Sequence, residues 1–409
     1  MPLSLRDPEN EIPTGQRVRV FSLTWLSYAT YYLARKNFSV VKARLQLEQG
    51  LTEKNLGDID TGYLAAYALG QFLAGAAGDR IGARRLIGFG MISVGVASIL
   101  FGAGSSAWIF GIAFAFNGLV QATGWPGNVK AMAGFFRKSE RGTVMGIWTT
   151  NYQVGGLVAT ALATFILTHA GWRATFFIPS VLVAIVGAAI LFFLPEPRLS
   201  TGAEKAAAKS TLRTRDLLRM PAFWSIGGAY FCLKLIRYSI LFWLPFYLTK
   251  ALHYSEEKSG YLSISFEVGG IIGAVVIGIV SDRYFPNRRR SISSTFVFAL
   301  AGALLLYTVL APLGPFANFV GMALIGFCLF GPDALISGAA AQDLGGPAAA
   351  ATVAGAINGM GSIGAVLQGR VTSTISTAYG WNALYYVFVA LALIAAVALR
   401  LGKPAPSAE

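Results

Sequence analysis

Charge is scarce in this sequence. Asp, Glu, Lys and Arg together make up 13% of its 409 residues, while apolar residue types make up 55%. A soluble domain carries about 25% charged residues. A chain so poor in charge cannot cover a water-facing surface of its own size, which excludes a soluble domain and leaves a polytopic membrane protein. Cysteine is nearly absent. Cys232 and Cys328 each sit inside an apolar run, which excludes a disulfide framework and a thiolate metal site. Acids are scarcer than bases, 19 against 33, for a net charge of +14. The excess base lies between apolar runs rather than along one face, so it marks topology and not a nucleic-acid surface. The N-terminal segment, interrupted by Pro2 and Pro8, lacks the apolar stretch and cleavage site of a secretory signal.

What the chain has instead is long uncharged runs. No Asp, Glu, Lys or Arg occurs from Leu86 to Val129 or from Ser291 to Pro332. Each run is about twice the ~20 residues that a helix needs to cross a bilayer. Each also holds a turn, Gly102-Ala103-Gly104-Ser105-Ser106 in the first and Pro312-Leu313-Gly314-Pro315 in the second. The pattern predicts an all-α membrane protein of twelve transmembrane helices. They fall roughly over 17–45, 57–79, 84–104, 107–136, 142–168, 172–195, 221–250, 256–284, 290–313, 315–340, 348–378 and 380–401. The domain plan is 1–195, a polar linker 196–220 and 221–409. About two thirds of the 33 lysines and arginines fall in the linker, the terminal segments and the loops on their side. Basic loops stay in the cytoplasm, so both termini and the linker are expected there, in an inner or plasma membrane.

The two halves repeat each other. Gly75-x-x-x-Asp79-Arg80 returns as Gly278-x-x-Ser281-Asp282-Arg283, Gly155 as Gly364, Gly171-Trp172 as Gly380-Trp381 and Arg35 as Arg237. The offsets drift only from 202 to 209 residues along the chain. Several pairs in one order predict two six-helix halves in parallel pseudo-two-fold repeat, an arrangement that places a substrate site near the midplane between the halves. An acid at a helix end beside a basic turn, at Asp79-Arg80 and again at Asp282-Arg283, is expected to latch one conformation. Basic topology alone would also put arginines there.

Arg35 is the centre of the functional reading. It lies in the first apolar segment, within Tyr31-Tyr32-Leu33-Ala34-Arg35-Lys36-Asn37-Phe38. An arginine at bilayer depth costs at least ~2.5 kcal/mol, so it persists where it faces a protein-lined cavity and has an anion to hold. The competing reading is a snorkelling side chain near a helix end. Its repeat partner Arg237 strengthens the functional one. Two guanidinium forks, one from each half, form a pincer suited to phosphoryl oxygens. Lys234 shares a helix face with Arg237 at i, i+3 and is expected as a third cation. Asp60, Glu267 and Asp333 are the acids within the spans; Glu267 and Asp333 are the candidate counter-charges, Glu267 for Lys234 or Arg237 or as a proton site. Lys36 is expected to turn away from the anion toward a neighbouring helix. Lys42 is expected as an outer access cation or at headgroup level. Arg370 receives no role.

The Asp-Arg loops and the six-plus-six plan resemble the major facilitator superfamily. Within it, Tyr31-Tyr32-Leu33-x-Arg35-Lys36-Asn37-Phe38, Gly124-Trp125-Pro126 and Leu235-Ile236-Arg237-Tyr238-Ser239-Ile240-Leu241-x-Trp243 resemble the organophosphate:phosphate antiporters, the bacterial glycerol-3-phosphate and hexose-phosphate carriers. Asn117-Gly118-Leu119-Val120-Gln121-x-Thr123-Gly124-Trp125-Pro126, Phe266-Glu267-Val268-Gly269-Gly270-Ile271-Ile272-Gly273 and Asn358-Gly359-Met360-Gly361-Ser362-Ile363-Gly364 are similar to animal and plant sugar-phosphate exchangers. The resemblance spans all twelve segments. It implies that Arg35 and Arg237 bind the phosphoryl group and that Tyr28, Tyr32 and Tyr67 line the cleft. The chain departs from the glycerol-phosphate carrier at Gln71, Tyr152 and Lys234. Trp125 and Asn358 are candidate sugar contacts.

The expectation is a secondary carrier, not an enzyme, that exchanges a sugar phosphate for inorganic phosphate by alternating access. It needs no catalytic residues, cofactor or metal, and is expected to act as a monomer with the bilayer as its other partner. Two alternatives remain in view, a membrane sugar-phosphate sensor and an antiporter of another organic anion.

Overall fold

The computed structural model describes residues 13–133, 135, 136, 144, 147, 148, 150–196, 219–285, 288–336 and 341–401; at 72, 75, 76, 78, 79, 133, 282 and 341–355 it describes the backbone alone. All but the two ends of the expected 196–220 linker lies outside the described residues.

The first pass is a broken rod, α1 (Thr14–Tyr31) and α2 (Asn37–Gln49), joined by a 3-10 turn at Tyr32–Ala34. It is followed by α3 (Glu53–Ile81), α4 (Ala83–Ala103), α5 (Ala107–Gln121), α6 (Gly124–Ala133) and α7 (Thr150–Phe193). The second half holds α8 (Pro221–Lys250), α9 (Glu256–Tyr284), α10 (Arg289–Leu310), α11 (Pro315–Leu335), α12 (Ala341–Tyr379) and α13 (Trp381–Leu401). Among the described residues, eight helical stretches, one of them α5 taken together with α6, are long and apolar enough to cross a membrane. At 44 residues, α7 would reach ~66 Å, about twice the hydrocarbon thickness. It turns back at Gly171, where φ is 79°. Gly380, with φ 82°, makes the same turn between α12 and α13. A left-handed φ costs glycine little, which is why Gly-Trp recurs at both places.

Two expected spans are interrupted. The helix over 17–45 stops where the Tyr32 carbonyl accepts both Arg35 N at 3.1 Å and Lys36 N at 3.0 Å. The Asn37 side chain, at the first position of the next helix, accepts Phe38 N at 2.8 Å. The span over 107–136 is interrupted at Ala122 and Thr123, between α5 and α6.

The repeat is visible in how the helices touch. Gly155 of α7 packs on the Ala29 backbone, and Gly364 of α12 packs on the Phe231 backbone. Across the seam between the halves, Gly57 of α3 faces Ser373 of α12 and Gly260 of α9 faces Thr164 of α7. A Cβ at any of these glycines would overlap its neighbour, and small residues are what bring membrane helices this close.

Each half buries a core of its own, around Ile87, Met91 and Val94 in the first and around Ile236, Leu300 and Leu329 in the second. A further cluster joins Phe38, Val41, Leu45 and Tyr63 to Phe242, Trp243 and Phe246 of α8. It seals the halves at the end of the bundle away from both termini. Around the outside, Ile112, Phe192, Leu305 and Phe316 stand exposed. Such a belt suits lipid, where exposed apolar side chains and internally bonded helices are the stable arrangement.

Candidate functional site

The break in the first pass sets the geometry of Arg35. Its Nε donates to Gln121 Oε1 at 3.0 Å. The same oxygen accepts the Tyr63 hydroxyl at 3.1 Å. The Gln121 amide donates to Asn117 Oδ1 at 2.9 Å, and Asn117 donates to Ser98 Oγ at 3.1 Å and to the Ala34 carbonyl at 3.4 Å. The relay therefore ends on the broken turn itself, and arginine and turn are held together through α5. The guanidinium carbon lies 4.8 Å from the Tyr32 ring and 4.9 Å from the Tyr67 ring. Tyr28 backs this wall against Tyr32 and Trp125. Among the described residues, no carboxylate lies within ion-pair distance of Arg35.

The second half presents its charges differently. Arg237 Nη1 donates to Asp333 Oδ2 at 2.6 Å, and Lys234 Nζ lies 3.7 Å from the other oxygen. The Arg237 guanidinium stacks over Phe330 at 4.2 Å, and Lys234 sits between the Tyr230 and Tyr238 rings at 5.0 and 5.5 Å. The two sides meet at the tyrosines. The Tyr238 phenol is within charge-interaction range of Lys234, Arg237 and Arg35, Tyr32 of Arg35 and Arg237, and Tyr152 of Arg237 and Lys234. The three cations thus converge on one buried region between the broken turn of the first pass, α8 and the aromatic wall.

The other candidates fall as follows. Gln71 is half-buried one turn beyond Tyr67 on α3, Trp125 is 37% exposed, and Asn358 is exposed on α12. Arg80 and Arg283 are exposed, and the Asp79 and Asp282 side chains lie outside the described residues. Glu267 does not meet Lys234 or Arg237. It lies 3.0 Å from Lys36 of the other half, against Gly156, which leaves space for its carboxylate. Asp333 is the acid on which both second-half cations lean.

Lys42 is neither an outer access cation nor at headgroup level. It is wholly buried, 2.5 Å from Asp60 and 3.8 Å from the centre of the Trp243 ring. A lysine facing inward on a sealed helix cannot snorkel and must find an acid. Arg370 pairs with Asp58 across the seam at 2.8 Å. Arg44 to Glu256 at 2.6 Å and Ser376 to Glu53 at 2.6 Å close the same end. Reading the sequence picks out Asp60 as an acid inside a span, but it missed Tyr63, Tyr238 and the pairing of these acids with their cations. The available signal was that an ionised group inside a span requires an opposite charge, and Asp58 and Asp60 stand in one.

The chain is similar to known transporters along most of its length. The family described as "Major Facilitator Superfamily" matches residues 24–369. "Putative glycerol-3-phosphate transporter 2" of Arabidopsis thaliana is 34% identical over 93% of this chain and 85% of that protein. "Glucose-6-phosphate exchanger SLC37A2" of Bos taurus is 29% identical over 94% of this chain and 93% of its own. Among solved structures, a bacterial homolog of the human lysosomal transporter Spinster, crystallised inward-facing and occupied, superposes with a TM-score of 0.76. It is 15% identical, with 96% of this chain and 97% of that chain covered, a likeness of fold.

Proposed function

The chain belongs to the Major Facilitator Superfamily, and on that premise we propose that it exchanges a sugar phosphate for inorganic phosphate by alternating access. The observation that carries this reading is the convergence of Arg35, Lys234 and Arg237 between two repeated halves. Relatives named as glycerol-3-phosphate transporters and glucose-6-phosphate exchangers support it. Twelve passes serve as two six-helix halves, 1–195 and 221–409, joined by a cytoplasmic linker, with both termini cytoplasmic in an inner or plasma membrane. The protein acts as a monomeric carrier and performs no chemistry on its cargo.

The phosphoryl group lies between Arg35 and the second-half cations. Tyr28, Tyr32, Tyr67 and Tyr152 line its surroundings, and Gln71, Trp125 and Asn358 flank the path of the sugar. Asp79-Arg80 and Asp282-Arg283 latch the end that bears the termini. An empty site leaves buried positive charge uncompensated, and closing the halves over it costs several kcal/mol. A bound phosphate removes that cost and lets the halves rock, so transport is an exchange.

The test uses the full chain in proteoliposomes preloaded with phosphate, glucose-6-phosphate, glycerol-3-phosphate or a dicarboxylate, and follows uptake of labelled phosphate. Uptake into phosphate- and sugar-phosphate-loaded vesicles, with none into empty ones, is the expected result. Uptake driven equally by dicarboxylate would make it a general organic-anion antiporter. Binding without exchange would make it a sensor. For topology, Lys205→Cys and Lys258→Cys should label from opposite sides of the membrane, and labelling of both from one side would overturn the orientation.

A further inference from the structure

The two central arginines are not equivalent. Arg35 is buried among neutral groups: a glutamine oxygen at 3.0 Å and two tyrosine rings. Arg237 already holds a carboxylate at 2.6 Å, the hydrogen-bond distance that a substrate phosphoryl oxygen would need at the same nitrogen. A phosphate oxygen approaching that nitrogen would meet Asp333 at close range, two anions in one place. Lys234 leans on the same carboxylate from farther off, at 3.7 Å, with two tyrosine faces beside it. Among the described residues, the other buried charges nearby neutralise each other in pairs, Lys36 with Glu267 at 3.0 Å and Lys42 with Asp60 at 2.5 Å.

We propose that Asp333 is an internal counter-anion that sets the charge of the site, clamping Arg237 as a positioning residue and leaving Arg35 and Lys234 to contact the substrate phosphate. The proposal rests on the phosphate-exchange reading above. Arg35 contributes one positive charge, the Lys234–Arg237–Asp333 group contributes one more, and the Lys36–Glu267 pair contributes none. A site of charge +2 matches a phosphate monoester above its second ionisation, near pH 6. The loaded site is then neutral. Closing the halves over it leaves no unpaired ion in the low-dielectric seam, the condition under which buried charge is tolerated. Without Asp333 the site would carry +3, suited to a more highly charged anion and left positive with its own cargo. The specificity assigned to Asp333 is thus for the charge of the cargo, independent of its sugar.

The experiment measures phosphate exchange by the full chain in proteoliposomes, with Arg237→Leu, Asp333→Leu and the double variant. Each single change strands one buried charge, and exchange should fall by at least about 100-fold. The double variant removes the pair and keeps the charge at +2, so exchange should recover to within about tenfold of the unmodified protein. Recovery supports the assignment; a double variant as inactive as Arg237→Leu overturns it and returns Arg237 to direct contact with the phosphate. A binding measurement covers the case of a poorly folded double variant. Asp333→Asn, which keeps the side-chain shape, should tighten pyrophosphate binding by about tenfold relative to inorganic phosphate, read by tryptophan fluorescence. An unchanged ratio overturns the proposal. If the unmodified protein exchanges no phosphate, the functional reading itself fails; if it exchanges phosphate and these variants do not behave as stated, only the role of Asp333 fails.

Discussion

Arg35 and its repeat partner Arg237 sit in differently built surroundings. The first stands at a break, where one helix ends at Tyr31 and the next begins at Asn37, and it is held through Gln121 and Asn117 to the broken turn. The second stands inside α8, unbroken from Pro221 to Lys250, and is held by the charge of Asp333. A guanidinium held by neutral dipoles keeps its full charge for a ligand. One held by a carboxylate has spent most of its field on the protein. The same contrast separates Arg35 from Lys42 and Arg370, whose acids are Asp60 and Asp58. Cations of the first kind should matter to transport, and those of the second kind to stability and closure.

Breaking the neutral-held cation should have the largest effect. Arg35→Ala is expected to abolish phosphate exchange in proteoliposomes while the protein still elutes as a folded species. Arg35→Lys should restore little, because a point charge cannot reproduce the guanidinium fork that Gln121 orients. Near-normal exchange by the alanine variant would remove Arg35 from the site.

Next comes the buried pair at the sealed end. Asp60→Asn leaves Lys42 charged and wholly enclosed, which costs roughly 3–5 kcal/mol. It should show as a clear drop in the thermal midpoint of the detergent-solubilised protein. The double variant Lys42→Met/Asp60→Leu should regain most of that loss, since an apolar pair of similar volume is often no worse than a buried ion pair. A double variant less stable than the single would show that the pair does more than neutralise itself.

Lys234→Gln should be intermediate. Losing a charge-assisted hydrogen bond is worth roughly 1.5–3 kcal/mol, so affinity for inorganic phosphate and for sugar phosphate should fall together by about tenfold or more. Unchanged affinity for both would place Lys234 with the structural cations and would leave Arg35 as the sole contact.

The smallest effect is expected at the rim. Arg370 and Asp58 are substantially exposed, at 69% and 38%, so Arg370→Gln should cost less than ~1 kcal/mol of stability. A large loss of exchange in this variant would mean that the rim pair governs closure of the sealed end, which its exposure argues against.

Much of this molecule could be read before its coordinates. The scarcity of charge, the uncharged runs and the recurring Gly-Trp and Asp-Arg pairs led to a two-part membrane bundle. Of the repeated glycines, Gly155 and Gly364 are points where the helices of each half touch and Gly171 and Gly380 are turns, because a missing side chain is a property of one residue and shows directly in the sequence. Arg35, Arg237 and Lys234 were found by the same local logic: a cation in an apolar span is conspicuous wherever it stands.

Their partners were not. Glu267 was expected beside Lys234 or Arg237 and lies against Lys36; Lys42 was expected toward the outside and lies beneath Trp243. Pairing depends on the rotation of each helix about its axis and on which helices the two halves bring together. Both follow from packing over the whole bundle. Helix composition therefore identifies the charges that need a partner, and only the tertiary structure decides that Arg237 has a carboxylate and that Arg35, among the described residues, has none, because each pairing joins residues far apart in the chain through a contact that neither helix encodes alone.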